Sequence, residues 1–271
     1  MDLQLDGSRA LVLASSQGIG LASAKALAGE GAHVAISSRS ESNLEAAKAE
    51  IVDETDASPD RIETITCDLS NPNAVGDRVE TVVDRLGGLD VLVTNSGGPP
   101  KIGFEEATIE QFDETYELVL KSVIVAIDAA LPSIREDGGA ITNLIATSTQ
   151  QPEANHVLGN TIRSGIYGLS KSLAEEYAEE GVRVNCVCPK KVGPVTDTER
   201  NRTNHIDRYA EEHGLSYDEA RDEFIAGIIP LGRNGTLEEF GRAVAFVSSP
   251  AASYVTGHSL NVDGGWSDTP F

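Results

Sequence analysis

Apolar runs of four to eight residues alternate along the chain with amphipathic stretches of ten or more, which predicts repeated strand–helix–strand units on a parallel sheet. The runs read as strands near Arg9 to Ala14, His33 to Ser37, Arg61 to Cys67, Val91 to Asn95, Ala140 to Ile145, Arg183 to Val187 and Ser259 to Val262. Helices fill the gaps. The first starts at the Gly18-Ile19-Gly20 turn and ends near Glu30-Gly31, with Ala24, Leu27 and Ala28 as its buried stripe. A second begins after Ser40, capped by Ser40 or Ser42, and turns Leu44, Ala47 and Ile51 to the sheet. Two longer helices, about Ile109 to Ile134 and Glu153 to Glu180, carry apolar positions over more than one face, the pattern of helices that also meet a second subunit. The fold class expected is α/β: a three-layer, doubly wound, seven-stranded parallel sheet with helices on both faces, in one domain over residues 1–271. Thr196 to Ala226 is polar and charge-rich, and the segment 194–230 is expected to be a helical insertion covering a substrate pocket.

Charge changes the picture by exclusion. With 43 acidic residues against 21 basic ones the net charge is -22, and binding to nucleic acid or an anionic membrane needs clustered Lys and Arg instead. The carboxylates are dispersed over helix faces, which is expected of a chain adapted to a salt-rich cytoplasm that screens their repulsion. No apolar run is long enough to span a bilayer and no signal peptide is evident, so a soluble, cytoplasmic protein without membrane partners is expected. Cys67, Cys186 and Cys188 form no CxxC pair, which argues against a zinc site and a disulfide framework; they read as small core hydrophobes.

The strand Ala10 to Ala14 runs into Ser15-Ser16-Gln17-Gly18-Ile19-Gly20 and then a helix. Small residues are needed at such a junction because the chain must turn tightly and bring backbone N–H groups against a pyrophosphate, whose charge the helix N-terminus favours. Asp68-Leu69 follows the third strand and Asn95-Ser96-Gly97-Gly98 the fourth; Pro189-Lys190-Lys191-Val192, Pro230-Leu231-Gly232-Arg233 and Tyr254 to Gly265 come later. In this order and spacing they make the chain resemble a classical short-chain dehydrogenase/reductase, a Rossmann-fold family, over nearly its whole length, and in particular its 3-oxoacyl-acyl-carrier-protein reductases. Leu13-Ala14 stands where that family has Thr-Gly.

The resemblance implies a nicotinamide dinucleotide held by Ser15, Ser16, Gly18, Ile19, Gly20, Ser38, Arg39, Asp68, Leu69, Asn95, Ser96, Gly97, Arg163, Pro189 and Val192. Cofactor preference is read at the end of the second strand, where an acid would bond a ribose 2′-hydroxyl and a base would neutralise a 2′-phosphate. Ser37-Ser38-Arg39 holds no acid, so NADP(H) is expected, with Arg39 as clamp and NAD(H) as the alternative.

Aligned through the flanking Ile141 to Ile145 and Gly168 to Ala174, the family's catalytic Asn, Ser, Tyr and Lys positions hold Val119, Ala146, Gly159 and Arg163. A literal Tyr-x-x-x-Lys at Tyr167 to Lys171 lies eight residues later, roughly 12 Å further along a helix, and is read as a decoy. Arg163, Ser148 and Asn160 are the catalytic candidates, with Thr147, Asn155 and His156 in the loop above. A guanidinium stays protonated and shuttles protons poorly, but it binds oxygen anions well. Lys190 and Lys101 are candidates for holding an anionic substrate. An oxidoreductase of a carbonyl or secondary alcohol, working on a small molecule as a homodimer or homotetramer built through the two long helices and the C-terminal strand, is the leading expectation. A catalytically silent nucleotide sensor and non-redox chemistry on the same scaffold are the alternatives.

Overall fold

The computed structural model describes residues 2–193 and 204–268. Seven parallel strands form one sheet: β1 (Arg9–Val12), β2 (His33–Ser38), β3 (Ile62–Thr66), β4 (Val91–Thr94), β5 (Gly139–Leu144), β6 (Val182–Pro189) and β7 (Ser259–Val262). Their spatial order is β3-β2-β1-β4-β5-β6-β7. The chain thus winds outward from β1 in one direction, then crosses over to β4 and winds the other way. That reversal opens a crevice between the C-terminal ends of β1 and β4, the place where open α/β sheets bind ligands.

The central strands are buried on both faces, which is why they read as near-continuous apolar runs. Helices α1 (Gly18–Gly29), α2 (Glu41–Glu54), α3 (Pro72–Leu86), α4 (Ile109–Thr115), α5 (Ser122–Asp137), α6 (Val157–Glu176) and α9 (Leu237–Ser248) complete the two outer layers. One apolar cluster joins α3, α5 and α6 to one face of the sheet, and another joins α1, α2 and α9 to the opposite face. Leu44, Ala47 and Ile51 face the sheet as expected, and Ser40 is the cap of α2, accepting from the Asn43 N–H. Capping boxes at Thr108–Gln111 and Thr236–Glu239 start α4 and α9.

Two sequence expectations are corrected. The expected single helix from Ile109 to Ile134 is divided: α4 gives way to a π-helical stretch, Tyr116–Lys121, before α5 begins. Each i→i+5 turn adds a residue to the helical period and rotates the apolar stripe, so apolar positions spread over more than one face of an apparently continuous segment. The second long helix begins at Val157, not Glu153, and ends in a 3₁₀ turn at Ala178–Glu180. Glu153 to His156 form an irregular loop instead, with Asn155 at a φ of 60°.

In the polar segment, α7 (Asn204–His213) and α8 (Tyr217–Ile228) pack against each other through Ile206, Ala210 and Ala220. Residues 194–203 of the expected helical cover lie outside the described residues. The three cysteines are buried and unpaired, and burial pushes their thiols up to about 11, 11 and 12 for Cys67, Cys186 and Cys188. No helix among the described residues is long and apolar enough to cross a membrane.

Candidate active site

Where β1 hands over to α1, three small residues set the geometry. Ala14 and Gly18 both take left-handed backbone, with φ of 47° and 59°. Gly20 sits where a Cβ would lie 2.4 Å from the Ala14 carbonyl oxygen and 2.9 Å from Asn95 Nδ2. The first turn of α1 therefore presses against the strand ends with no room for a side chain, and its unpaired N–H groups face the crevice. Asn95 Nδ2 donates to the Ala14 carbonyl at 3.1 Å, tying the end of β4 to this turn. A pyrophosphate-bearing cofactor fits such a cradle, because the backbone approaches closely and supplies donors without charge.

Ser15 is fully buried: its hydroxyl donates to the Val12 carbonyl and accepts from the Ser37 N–H. Its side chain locks the turn, which leaves only its backbone for a ligand. Leu69 likewise spends its side chain in the core. Ser16 and Ser38 share a hydrogen bond of 3.0 Å across the ends of β1 and β2, and Arg39 stands exposed beside them. Arg39 has no ion-pair partner among the described residues, yet it helps hold the Asp68 carboxyl below its ordinary range. The larger cause there is the pair of hydrogen bonds that Asp68 accepts from Ser70. Ile19, Ser96 and Gly97 flank the same crevice, at the start of α1 and just past β4.

After β6, Val192 forms a bridge with Gly235 in which Lys191 O accepts from Gly235 N and Gly193 N donates to Gly235 O. That pattern leaves Val192's own N–H and C=O without a partner among the described residues, aimed away from Gly235. Pro189 ends β6 just before it.

Arg163 lies on α6, one turn beyond Gly159. A Cβ on Gly159 would come within 2.9 Å of Arg163 Nη1, and one on Gly98 within 3.6 Å of Nη2. The guanidinium thus fills the space that a side chain at 159 would take and reaches across to the loop after β4. It makes no hydrogen bond or ion pair with any described residue, and burial alone pushes its pKa down. Ser148, at 6% exposure in the turn after β5, also lacks a described partner for its hydroxyl. Ala146 starts that turn, and Val119 is buried in the π-helical stretch.

Asn160, a catalytic candidate in the sequence, lies on α6 one turn ahead of Arg163. Its Nδ2 donates to the Glu153 carbonyl at 2.8 Å, and its buried Oδ1 has no partner. It ties α6 to the Glu153 loop. Glu153 in turn holds Lys190 in a close ion pair and His156 at 3.6 Å. His156 and then Lys190 hold the Glu153 carboxyl down at about 2 against the effect of burial. Lys190 also stacks on Trp266, its Nζ 3.7 Å from the ring centroid, a cation–π contact that sequence reasoning missed. Tyr167 is 45% exposed, and the nearby Lys171 pairs with Glu175 at 3.0 Å on the surface of α6.

Residues 13–267 match a family model described as Enoyl-(Acyl carrier protein) reductase. Tropinone reductase-like 3 of Erythroxylum coca is 32% identical over 263 residues, covering 97% of this chain and 94% of that protein. A 3-oxoacyl-[acyl-carrier-protein] reductase of Chlamydia muridarum is 30% identical over 266 residues, covering 98% and 99%. The structure of L-sorbose reductase from Gluconobacter frateurii, complexed with NADPH and L-sorbose, superposes with a TM-score of 0.87 at 27% identity, covering 99% of this chain and all of that one. Sheet order, crevice and these relatives agree: the chain belongs to the short-chain dehydrogenase/reductase family and resembles its 3-oxoacyl-acyl-carrier-protein reductases.

Proposed function

We propose that the protein is an NADP(H)-dependent oxidoreductase of a small-molecule carbonyl or secondary alcohol, with a catalytic centre built on Arg163 in place of the usual tyrosine and lysine. The observation that carries the cofactor choice is Arg39, exposed and unpaired beside the Ser16–Ser38 hydrogen bond, with no acid at the end of β2. Gly18, Ile19, Gly20, Ser96 and Gly97 would line the dinucleotide with backbone, Asn95 and Asp68 would flank it, and Val192's free N–H and C=O would face its amide.

When bound, the dinucleotide supplies or accepts the hydride. Arg163, having no acid to neutralise it, would hold the substrate oxygen and stabilise the negative charge that grows on it as the hydride arrives at the carbonyl carbon. The oxygen would then take its proton from water, because the guanidinium retains its own. Ser148 would orient the same oxygen, and Asn160 would position the loop above it.

Fluorescence titration tests the cofactor: NADPH should bind more tightly than NADH, and Arg39→Ala should erase the difference. Oxidation of NADPH over a panel of ketones, sugars and acyl thioesters tests the reaction. Binding without turnover on any panel member would favour a silent nucleotide sensor, and no binding of either coenzyme would end both readings. The half-exposed edge strand β7 and the exposed Tyr116, Ile124 and Tyr167 support a homo-oligomer, which sedimentation would count.

A further inference from the structure

Around the first half of α6 the chain gathers cations that it does not neutralise, although it carries 43 acidic residues against 21 basic ones. Lys101 lies three residues past Gly98, in the loop that touches Arg163. Its neighbour Ile102 accepts a hydrogen bond from the Val157 N–H at the start of α6. From the other side, Lys190 and Lys191 follow β6 and meet the Glu153 loop, which Asn160 fastens to α6 one turn ahead of Arg163. Lys190 is spoken for by Glu153 and Trp266. Lys101, Lys191 and Arg163 have no ion pair among the described residues.

Lys191 is exposed as a residue, but its ammonium end is partly buried and feels the charges of both Lys190 and Lys101. Partial burial of its ammonium, then Lys190, then Lys101 push its pKa down, and Glu153 offsets this only in part. Its backbone is also strained: at a φ of 50° it occupies the left-handed region that glycine takes without cost. A lysine with this backbone cost and this electrostatic cost is relieved most directly by an anion arriving between it and Lys101.

We propose that the substrate is an oxo acid or hydroxy acid whose carboxylate is held by Lys101 and Lys191 while its reacting oxygen faces Arg163. This deepens the oxidoreductase reading and rests on it for the reaction, though not for the binding. Carboxylates suit a pair of ammonium groups that no acid neutralises, and a substrate drawn into a strongly acidic protein needs local positive charge to enter.

Acetoacetate and levulinate, each compared with its methyl ester, test this in two ways. With NADPH, the wild type should favour acid over ester in kcat/KM by at least about tenfold, and Lys101→Met and Lys191→Gly should each cut that preference by about fivefold. Lys191→Gly should also raise the unfolding midpoint by releasing the strained φ, so that loss of preference cannot be ascribed to a damaged fold. Calorimetric titration of the same acids into protein saturated with NADP+, where no reduction can occur, should show the same dependence on both lysines. Lysine-dependent binding of the acids without turnover would overturn the oxidoreductase reading and leave this one standing. Equal treatment of acid and ester by the wild type and both variants would overturn the carboxylate site and leave the oxidoreductase reading intact. Acids that neither bind nor react would overturn the carboxylate site as well.

Discussion

At Gly159 the missing side chain is part of the site. A methyl group there would stand 2.9 Å from Arg163 Nη1, the far end of a flexible side chain, so the helix can accept it if the guanidinium moves. Gly159→Ala should therefore stabilise α6 by about 0.5–1 kcal/mol, since alanine loses less backbone entropy in a helix. The same substitution should lower kcat/KM by roughly tenfold or more by displacing Arg163. Thermal unfolding and steady-state kinetics on one preparation would expose these opposite signs; a fall in both would mean that Gly159 is needed for packing alone. Ala14 offers the converse case. Its φ of 47° costs an L-residue about 1 kcal/mol, so Ala14→Gly should be neutral or stabilising by up to that amount in chemical denaturation. Both glycines of the first turn were legible in the sequence, because close approach and positive φ exclude side chains. The inward bonds of Ser15 were not, since a hydroxyl near a phosphate site looks the same whether it faces the ligand or the strand.

Between elements, the firmest polar link in the sheet is the clamp at the bottom of β1. Asp90, just before β4, accepts from the Arg9 N–H at 2.7 Å, from Nε at 2.9 Å and from Nη2 at 2.6 Å. Burial pushes the Asp90 carboxyl up, but the hydrogen bonds and charge of Arg9 outweigh it and hold the pKa below its ordinary value. A depressed carboxyl contributes stability that is present above its unfolded pKa, about 4, and is lost as pH falls through the folded value. Asp90→Asn should cost about 1–3 kcal/mol near neutral pH, and the gap to the wild type should begin to narrow below about pH 4 as the pH approaches the lowered folded value. Urea titrations at about pH 7 and at several values stepping down from about pH 4 would check this, and a gap that does not narrow with falling pH would show that shape, not charge, matters at this position. The elements themselves followed from periodicity: all seven strands fall within two residues of their expected ends. Where periodicity fell short was the interval from Tyr116 to Lys121, because a π turn changes the period without leaving a proline or glycine to mark it. The Glu153 loop was hidden for a similar reason, its order coming from long-range bonds to Asn160 and Lys190 and not from local turn residues.

Over the whole molecule the net charge of -22 sets a cost that the fold must meet. Most ion pairs among the described residues are exposed, such as Arg242 with Glu238 and Arg233 with Glu239, and contribute little individually. Many carboxylates, among them Glu45, Glu179 and Glu212, are exposed and form no ion pair with a described residue. Their mutual repulsion acts over about 10 Å at 0.1 M salt and over about 3 Å at 1 M, so adding salt removes most of it while leaving the buried clusters and the Arg9–Asp90 clamp nearly untouched. Raising KCl from about 0.1 M to about 1 M should therefore raise the unfolding midpoint by several degrees. Reversing Glu45, Glu179 and Glu212 to Lys should raise the midpoint at low salt and flatten its rise with KCl, since both changes relieve the same repulsion. A calorimetric series in KCl with an equal-osmolality sucrose control separates screening from general exclusion of solute; a midpoint that rises equally in sucrose, or equally in the reversed variant, would remove charge repulsion as the cause.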